Sequence, residues 1–178
     1  MKIVMLLGSP NQNGSSNLLA SRFADGAREA GHMVELVDAA HADIHVCTGC
    51  IHCGYDGPCV QKDDMEQIRR LILHADMLVF VTPLYYYGMS AQLKTLVDRF
   101  CAFNGRLQRK NMRSALIATA WNDDDWTFQA LETHYFTLVR YLNLTNAGMV
   151  LGAGCGTPAM TQHSEFPQQA YLLGKHLK

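Results

Sequence analysis

Charge is scarce in this 178-residue chain: 17% of its residues are Asp, Glu, Lys or Arg, they balance to a formal net charge of −1, and lysine and arginine nowhere cluster. This argues against nucleic acid or acidic membranes as principal partners. Long apolar runs are missing as well. The opening MKIVMLLGSP holds one basic residue and an apolar stretch that stops at Gly8, too short for a signal h-region or a membrane span, so the expected location is the cytoplasm. No internal repeat, low-complexity tract or linker interrupts the chain. With 48% hydrophobic residues, residues 1–178 read as one domain able to bury its own core. Also missing is any Ser/His/Asp or Cys/His arrangement in a motif context, which removes the usual basis for proposing a hydrolase. His134 and His163 stand alone, and the run Asp123, Asp124, Asp125 reads as a solvated loop rather than a cation site.

What is present is a regular alternation of elements. KIVMLL at 2–7 is a buried strand ending in a Gly-Ser-Pro turn. Leu19, Phe23, Ala27 and Ala30 recur at helical spacing over 16–30, with Ser15 or Ser16 as N-cap and Gly31 at the C-terminal end. Strands follow at 33–38, 76–83, 114–120 and 144–154, the third without polar alternation and so covered on both faces. Helices are expected after a capping box at Asp63 and Glu66, after the cap Ser90, from Phe128 to Leu142 and over 164–177. Five strands separated by helices call for a flavodoxin-like, doubly wound α/β fold. Its parallel sheet has the order 2-1-3-4-5, with helices on both faces.

In such a sheet ligands sit beyond the carboxyl ends of the strands, near the switch point between the first and third. After the first strand, GSPNQNGSSNLLA runs directly into a helix. This loop fits neither the Walker A spacing nor GxGxxG, which disfavours a nucleotide triphosphatase and a Rossmann dinucleotide site. Its helix N-terminus can still cradle a phosphate, helped by the hydroxyls of Ser9, Ser15 and Ser16; an ordinary polar turn uses the same residue types. After the third strand comes TPLYYYGMSAQLKTLVDR. Consecutive tyrosines cannot all face a core, so Tyr85, Tyr86 and Tyr87 read as a platform for a planar heterocycle, or as a subunit contact. Gly88 would let the backbone approach the ring. The fourth strand ends at Ala120 and Trp121, a third position at the same mouth.

GSPxxxGSS, TPLYYYGMSAQLKTLVDR and CxxCxxCxxxxxC before KDDM resemble the NADPH-dependent FMN reductase superfamily, and more narrowly the iron–sulfur flavoproteins. The resemblance covers roughly the first hundred residues. It implies that Ser9, Asn11, Gly14, Ser15 and Ser16 hold the phosphate of FMN, and that Pro83, Leu84, Tyr85, Tyr86, Tyr87 and Gly88 contact the isoalloxazine. Asn11 departs from the pattern, since many members carry Arg there. A lost guanidinium removes a phosphate contact of about 1.5–3 kcal/mol, which implies weaker FMN binding. The activity implied is FMN-dependent oxidation of NAD(P)H, with electrons passed to a cluster, a quinone or another small-molecule or protein acceptor. The alternatives are a non-enzymatic electron carrier and a redox sensor. Family habit implies a homodimer or homotetramer with the flavin near the interface.

Four of the six cysteines fall between Cys47 and Cys59, in CTGCIHCGYDGPC. Cytosolic thiols stay reduced, so such a group is more often metal-binding or redox-active than disulfide-paired. Cys47, Cys50, Cys53 and Cys59 supply four thiolates, the number a 4Fe–4S cluster takes, and CxxCxxC opens the ferredoxin run. Structural zinc also takes four thiolates, with His41, His45 or His52 able to replace one. A third reading needs no metal: a thiol switch, or packing as small apolar side chains. Following the second strand, the loop is expected on the same rim as the flavin. Cys101 and Cys155 are expected to be ordinary buried thiols.

Overall fold

The computed structural model describes all 178 residues. Its strands are β1 (Lys2–Leu7), β2 (Met33–Asp38), β3 (Met77–Tyr85), β4 (Gly88–Met89), β5 (Arg113–Thr119) and β6 (Thr145–Gly152). The helices are α1 (Ser15–Glu29), α2 (Met65–Leu73), α3 (Ala91–Asp98), α4 (Asn104–Lys110), α5 (Gln129–Tyr141), α6 (Pro158–Gln162) and α7 (Phe166–Lys175). Five strands run parallel in the order β2-β1-β3-β5-β6. This is the expected 2-1-3-4-5 order once the two-residue β4, antiparallel on the end of β3, is set aside. The order reverses between β1 and β3, which puts the switch point there.

The unbroken apolar runs of β1, β3 and β5 are explained by two cores. Side chains alternate between faces along a strand. Accordingly Val4, Leu6, Leu78, Phe80, Leu116 and Ala118 join the larger cluster with α2, α3 and α5. Their neighbours Ile3, Met5, Met77, Val79, Val81, Ala115 and Ile117 join a second cluster with α1 and α7. No helix is long and apolar enough to cross a membrane.

On that second face α1 and α7 meet backbone to backbone. A Cβ on Gly26 would fall 2.1 Å from the Tyr171 carbonyl oxygen, and one on Gly174 would fall 2.2 Å from that of Phe23. Gly174→Ala therefore has to push α7 off α1. A loss of about 1–3 kcal/mol is expected from such overpacking, read as a lower midpoint in urea unfolding.

Several local expectations are corrected. The N-cap of α1 is Gly14, with both serines inside the helix. Asp63 and Glu66 form no capping box: Asp63 pairs with Arg99 and Glu66 with Arg69. The helix capped by Ser90 ends at Asp98 and passes through a 3-10 turn, Arg99–Phe103, into α4. The last expected helix spans only Phe166–Lys175, preceded by the short α6.

Candidate functional site

The β1–α1 loop is held by its own polar atoms. Ser9 Oγ donates to the Asn11 carbonyl at 3.1 Å and accepts the Asn11 N–H at 3.2 Å. Asn11 Oδ1 accepts the Asn13 N–H at 3.1 Å, and Asn17 Nδ2 donates to the carbonyls of Asn11 and Gln12 at 3.2 Å each. Asn11, at the position where a guanidinium was expected from the family pattern, thus serves the loop. Gly8 lets α3 come close beneath: a Cβ there would meet Leu93 Cβ at 2.6 Å. Ser90 Oγ donates to the Gly8 carbonyl at 2.6 Å while accepting the Leu93 N–H, and the Ser90 N–H donates to Thr82 Oγ1 at 2.9 Å. This buried network fixes the ends of β1 and β3 against each other.

Because Gly14 takes the cap, the hydroxyls of Ser15 and Ser16 are left over. Both are buried and neither has a hydrogen-bond partner. They stand in the first turn of a 15-residue helix with no acidic residue in that turn and no side-chain cap. Two orphaned donors beside unpaired N–H groups at the positive end of a helix are what a phosphate monoester satisfies. The site fits the terminal group of FMN.

Above this floor opens a cavity of about 310 Å³, lined by Ser9, Asn11, Gly14, Ser15, Ser16, Pro83, Leu84, Tyr85, Thr119, Ala120, Trp121, Cys155 and Gly156. No Lys, Arg, Asp, Glu or His lines it, so an anion is met by dipoles and hydroxyls alone. The Trp121 indole, 69% exposed, lies so close to Gly156 that a Cβ there would sit 2.1 Å from a ring carbon. Thr119, Cys155 and Gly156 were not anticipated. The signal was available: a strand ending in Gly152-Ala-Gly-Cys-Gly at the carboxyl edge is a third loop at the same mouth. Cys155 is buried, as expected, but as part of the cavity wall.

Tyr86, Tyr87 and Gly88 do not line this cavity. Tyr85 and Gly88 pair across the β3–β4 hairpin, whose two turn residues are Tyr86 and Tyr87, with φ of 45° and 63°. Such a turn throws its side chains outward. Tyr86 is fully exposed, and Tyr87 packs on Trp126 with ring centroids 5.0 Å apart.

The cysteine loop follows β2 and is anchored by ion pairs to later elements. Asp56 pairs with Arg106 at 3.0 Å and Arg109 at 2.8 Å. The buried Asp63 carboxylate pairs with Arg99 at 2.5 Å, and Arg99 also donates to the His45 carbonyl at 2.8 Å. These bonds tie the loop to the 3-10 turn and α4. No residue lines both sites. The eight residues of α3, about 12 Å of helix, lead from Ser90 under the cavity toward Arg99.

Cys47, Cys50, Cys53 and Cys59 line one pocket, and Cys101 from the 3-10 turn lines it with them. Cys101 is thus part of a sulfur cluster rather than an isolated thiol; burial, together with Cys53, Cys47 and Cys59, pushes its pKa up to about 11. The Cys50 thiol is drawn down to about 7, chiefly by hydrogen bonding from His52. No three His, Cys, Asp or Glu side chains converge as a single metal ion requires. The pocket these residues line leaves a void of about 20 Å³, roughly room for one water. Cys47 and Cys50 are exposed and Gly49 and Gly54 have positive φ, whereas Cys53 and Cys59 pack against the larger core. In donor type and number alone the loop matches the four thiolates that a 4Fe–4S cluster takes; the thiols are not gathered into a metal-binding group in this structure.

A doubly wound sheet with a hydroxyl-lined helix N-terminus at its switch point defines a flavodoxin-like, mononucleotide-binding class. The chain belongs to the NADPH-dependent FMN reductase family, which it matches over residues 1–146. It is 36% identical over 106 residues to an iron-sulfur flavoprotein of Archaeoglobus fulgidus, covering 60% of this chain and 48% of that one. An iron-sulfur flavoprotein of Methanocaldococcus jannaschii is 31% identical over 118 residues, 66% of this chain and 61% of its own. The chain thus spans about half to three fifths of these curated relatives. Among solved structures, an NAD(P)H:quinone oxidoreductase from Methanothermobacter marburgensis superposes with a TM-score of 0.81 at 17% identity, over 100% of this chain and 96% of that one. An FMN-dependent NADH-azoreductase from Bacillus anthracis, determined in complex with FMN, superposes at 0.70 with 14% identity, over 98% and 96%. At these identities the superpositions establish the fold.

Proposed function

We propose that this chain is an FMN-dependent NAD(P)H oxidoreductase that delivers electrons to a quinone or another acceptor, with a 4Fe–4S cluster held by Cys47, Cys50, Cys53 and Cys59. The observation that carries the flavin reading is the pair of buried, unpartnered hydroxyls of Ser15 and Ser16 at the start of α1. FMN, when bound, accepts hydride from a nicotinamide and returns electrons singly or in pairs. The protein's part is placement. Ser15, Ser16 and the first N–H groups of α1 hold the phosphate, while Pro83, Leu84 and Tyr85 form one wall of the cavity and Ala120 and Trp121 the other. No acid or base from this chain is required, and the cavity lining holds hydroxyls, an amide, a thiol and aromatic rings.

The cluster reading rests on four loop thiols around one pocket and on the resemblance to iron-sulfur flavoproteins. A bound cluster supplies one-electron steps, and the chain's role is to present four thiolates and a fixed charge beside them. The physiological form we propose is a homodimer or homotetramer closing over the cavity mouth, where Tyr85, Tyr86 and Trp121 are 50%, 102% and 69% exposed. Aromatic side chains of this exposure are typical interface material.

The test is NAD(P)H consumption by the purified protein with and without added FMN and a quinone. Flavin-dependent turnover is expected. No turnover in any combination contradicts the enzyme reading, and flavin binding without turnover identifies an electron carrier instead.

A further inference from the structure

The pocket of sulfurs contains one charged residue. Arg99 is 2% exposed, comes from the 3-10 turn rather than the loop, and lines the pocket beside Cys59 and Cys101. Its two terminal nitrogens are occupied: Nη1 donates to Asp63 Oδ2 at 2.5 Å and to the His45 carbonyl at 2.8 Å, and Nη2 donates to Asp63 Oδ1 at 3.2 Å. Its Nε–H is buried and has no partner.

We infer that the Arg99–Asp63 pair positions a buried dipole against the cysteine pocket, with its positive end toward the sulfurs, and thereby raises the reduction potential of the cluster they hold. This rests on the cluster reading above. Each electron that enters adds negative charge to a site already carrying four thiolates, and a nearby cation favours the reduced state. Asp63 stands behind the guanidinium, its side chain 1% exposed, and cancels part of that field from farther away. The pair therefore acts as a potential-setting element, and Arg99 works through the ligands without touching substrate.

The geometry gives opposite signs for different substitutions. Asp63→Asn removes the opposing charge and is expected to raise the midpoint potential. The combined Arg99→Gln and Asp63→Asn replaces the pair by two neutral amides and is expected to lower it. Arg99→Lys keeps the charge and should stay near the wild type. Each protein is reconstituted anaerobically with iron and sulfide, checked for about four iron atoms per chain and for a cooperative melt, and then titrated with redox dyes while the reduced cluster is followed by electron paramagnetic resonance. One shared potential among the loaded variants, or a downward shift for Asp63→Asn, overturns the inference alone. A wild-type chain that takes up no iron overturns the cluster reading and the inference with it, while the flavin reading is tested separately by NAD(P)H turnover.

Discussion

Replacing Ser15 and Ser16 together by alanine is expected to weaken FMN binding by about 10²–10⁴-fold and, at the same time, to make the flavin-free protein no less stable. A hydrogen bond to a charged group contributes about 1.5–3 kcal/mol, so two amount to about 3–6 kcal/mol, and each 1.4 kcal/mol is tenfold in affinity. In the absence of ligand the same hydroxyls are buried without partners, an arrangement that costs stability, so deleting them relieves the empty protein. Isothermal titration with FMN and urea unfolding of the apoprotein measure the two halves. If these serines were merely packing, affinity would be unchanged; if they were essential to the fold, the apoprotein would be weakened.

Arg99→Met on its own is expected to cost about 3–5 kcal/mol, because it leaves the Asp63 carboxylate buried without its cation. That is a large part of the 5–15 kcal/mol typical of a domain. The combined Arg99→Met and Asp63→Asn change should recover much of the loss. The pH dependence follows from the same pair. Burial works to raise the Asp63 pKa, but the bonds from Arg99 and from the N–H groups of His45 and Met65 outweigh it and hold the carboxyl below its usual value. A folded-state pKa below the unfolded one means the contribution is complete above about pH 4 and is lost as the pH falls through the folded value. In Arg99→Met burial prevails, and the acid decline should begin at a higher pH. Urea midpoints between neutral and acid pH display both effects.

The central sheet and the cavity at its switch point were legible because they follow from periodicity and strand order. Ile3 to Leu6 and Met77 to Val81 could only be strands covered on both faces, and the Gly8–Ser16 stretch could only be a loop entering a helix at the switch point. What the sequence did not disclose depended on choices between partners distant in the chain. Asp63 looked like half of a capping box because Glu66 follows at the right spacing; its carboxylate does accept the Met65 N–H at the start of α2, but it also pairs with a buried cation 36 residues away, while Glu66 pairs with Arg69. The same ion pair ties the cysteine loop to the 3-10 turn that carries Cys101, which read as an ordinary buried thiol and lines the sulfur pocket. The three tyrosines were separated by turn geometry: the hairpin keeps Tyr85 on the strand and turns Tyr86 and Tyr87 away. Asn11 was read against a family pattern, whereas its local hydrogen bonds tie it to the loop.

The account stands most directly on the claim that α1 presents its N-terminus and two serines to the phosphate of a flavin. Titrating the flavin-free protein with FMN and, in parallel, with riboflavin, which lacks only that phosphate, isolates the claim. The account predicts that FMN binds at least about a hundredfold more tightly, from the two hydroxyl bonds alone, and that the Ser15 and Ser16 double alanine variant loses most of this difference. Equal affinity for the two flavins, or no affinity for either, would contradict it.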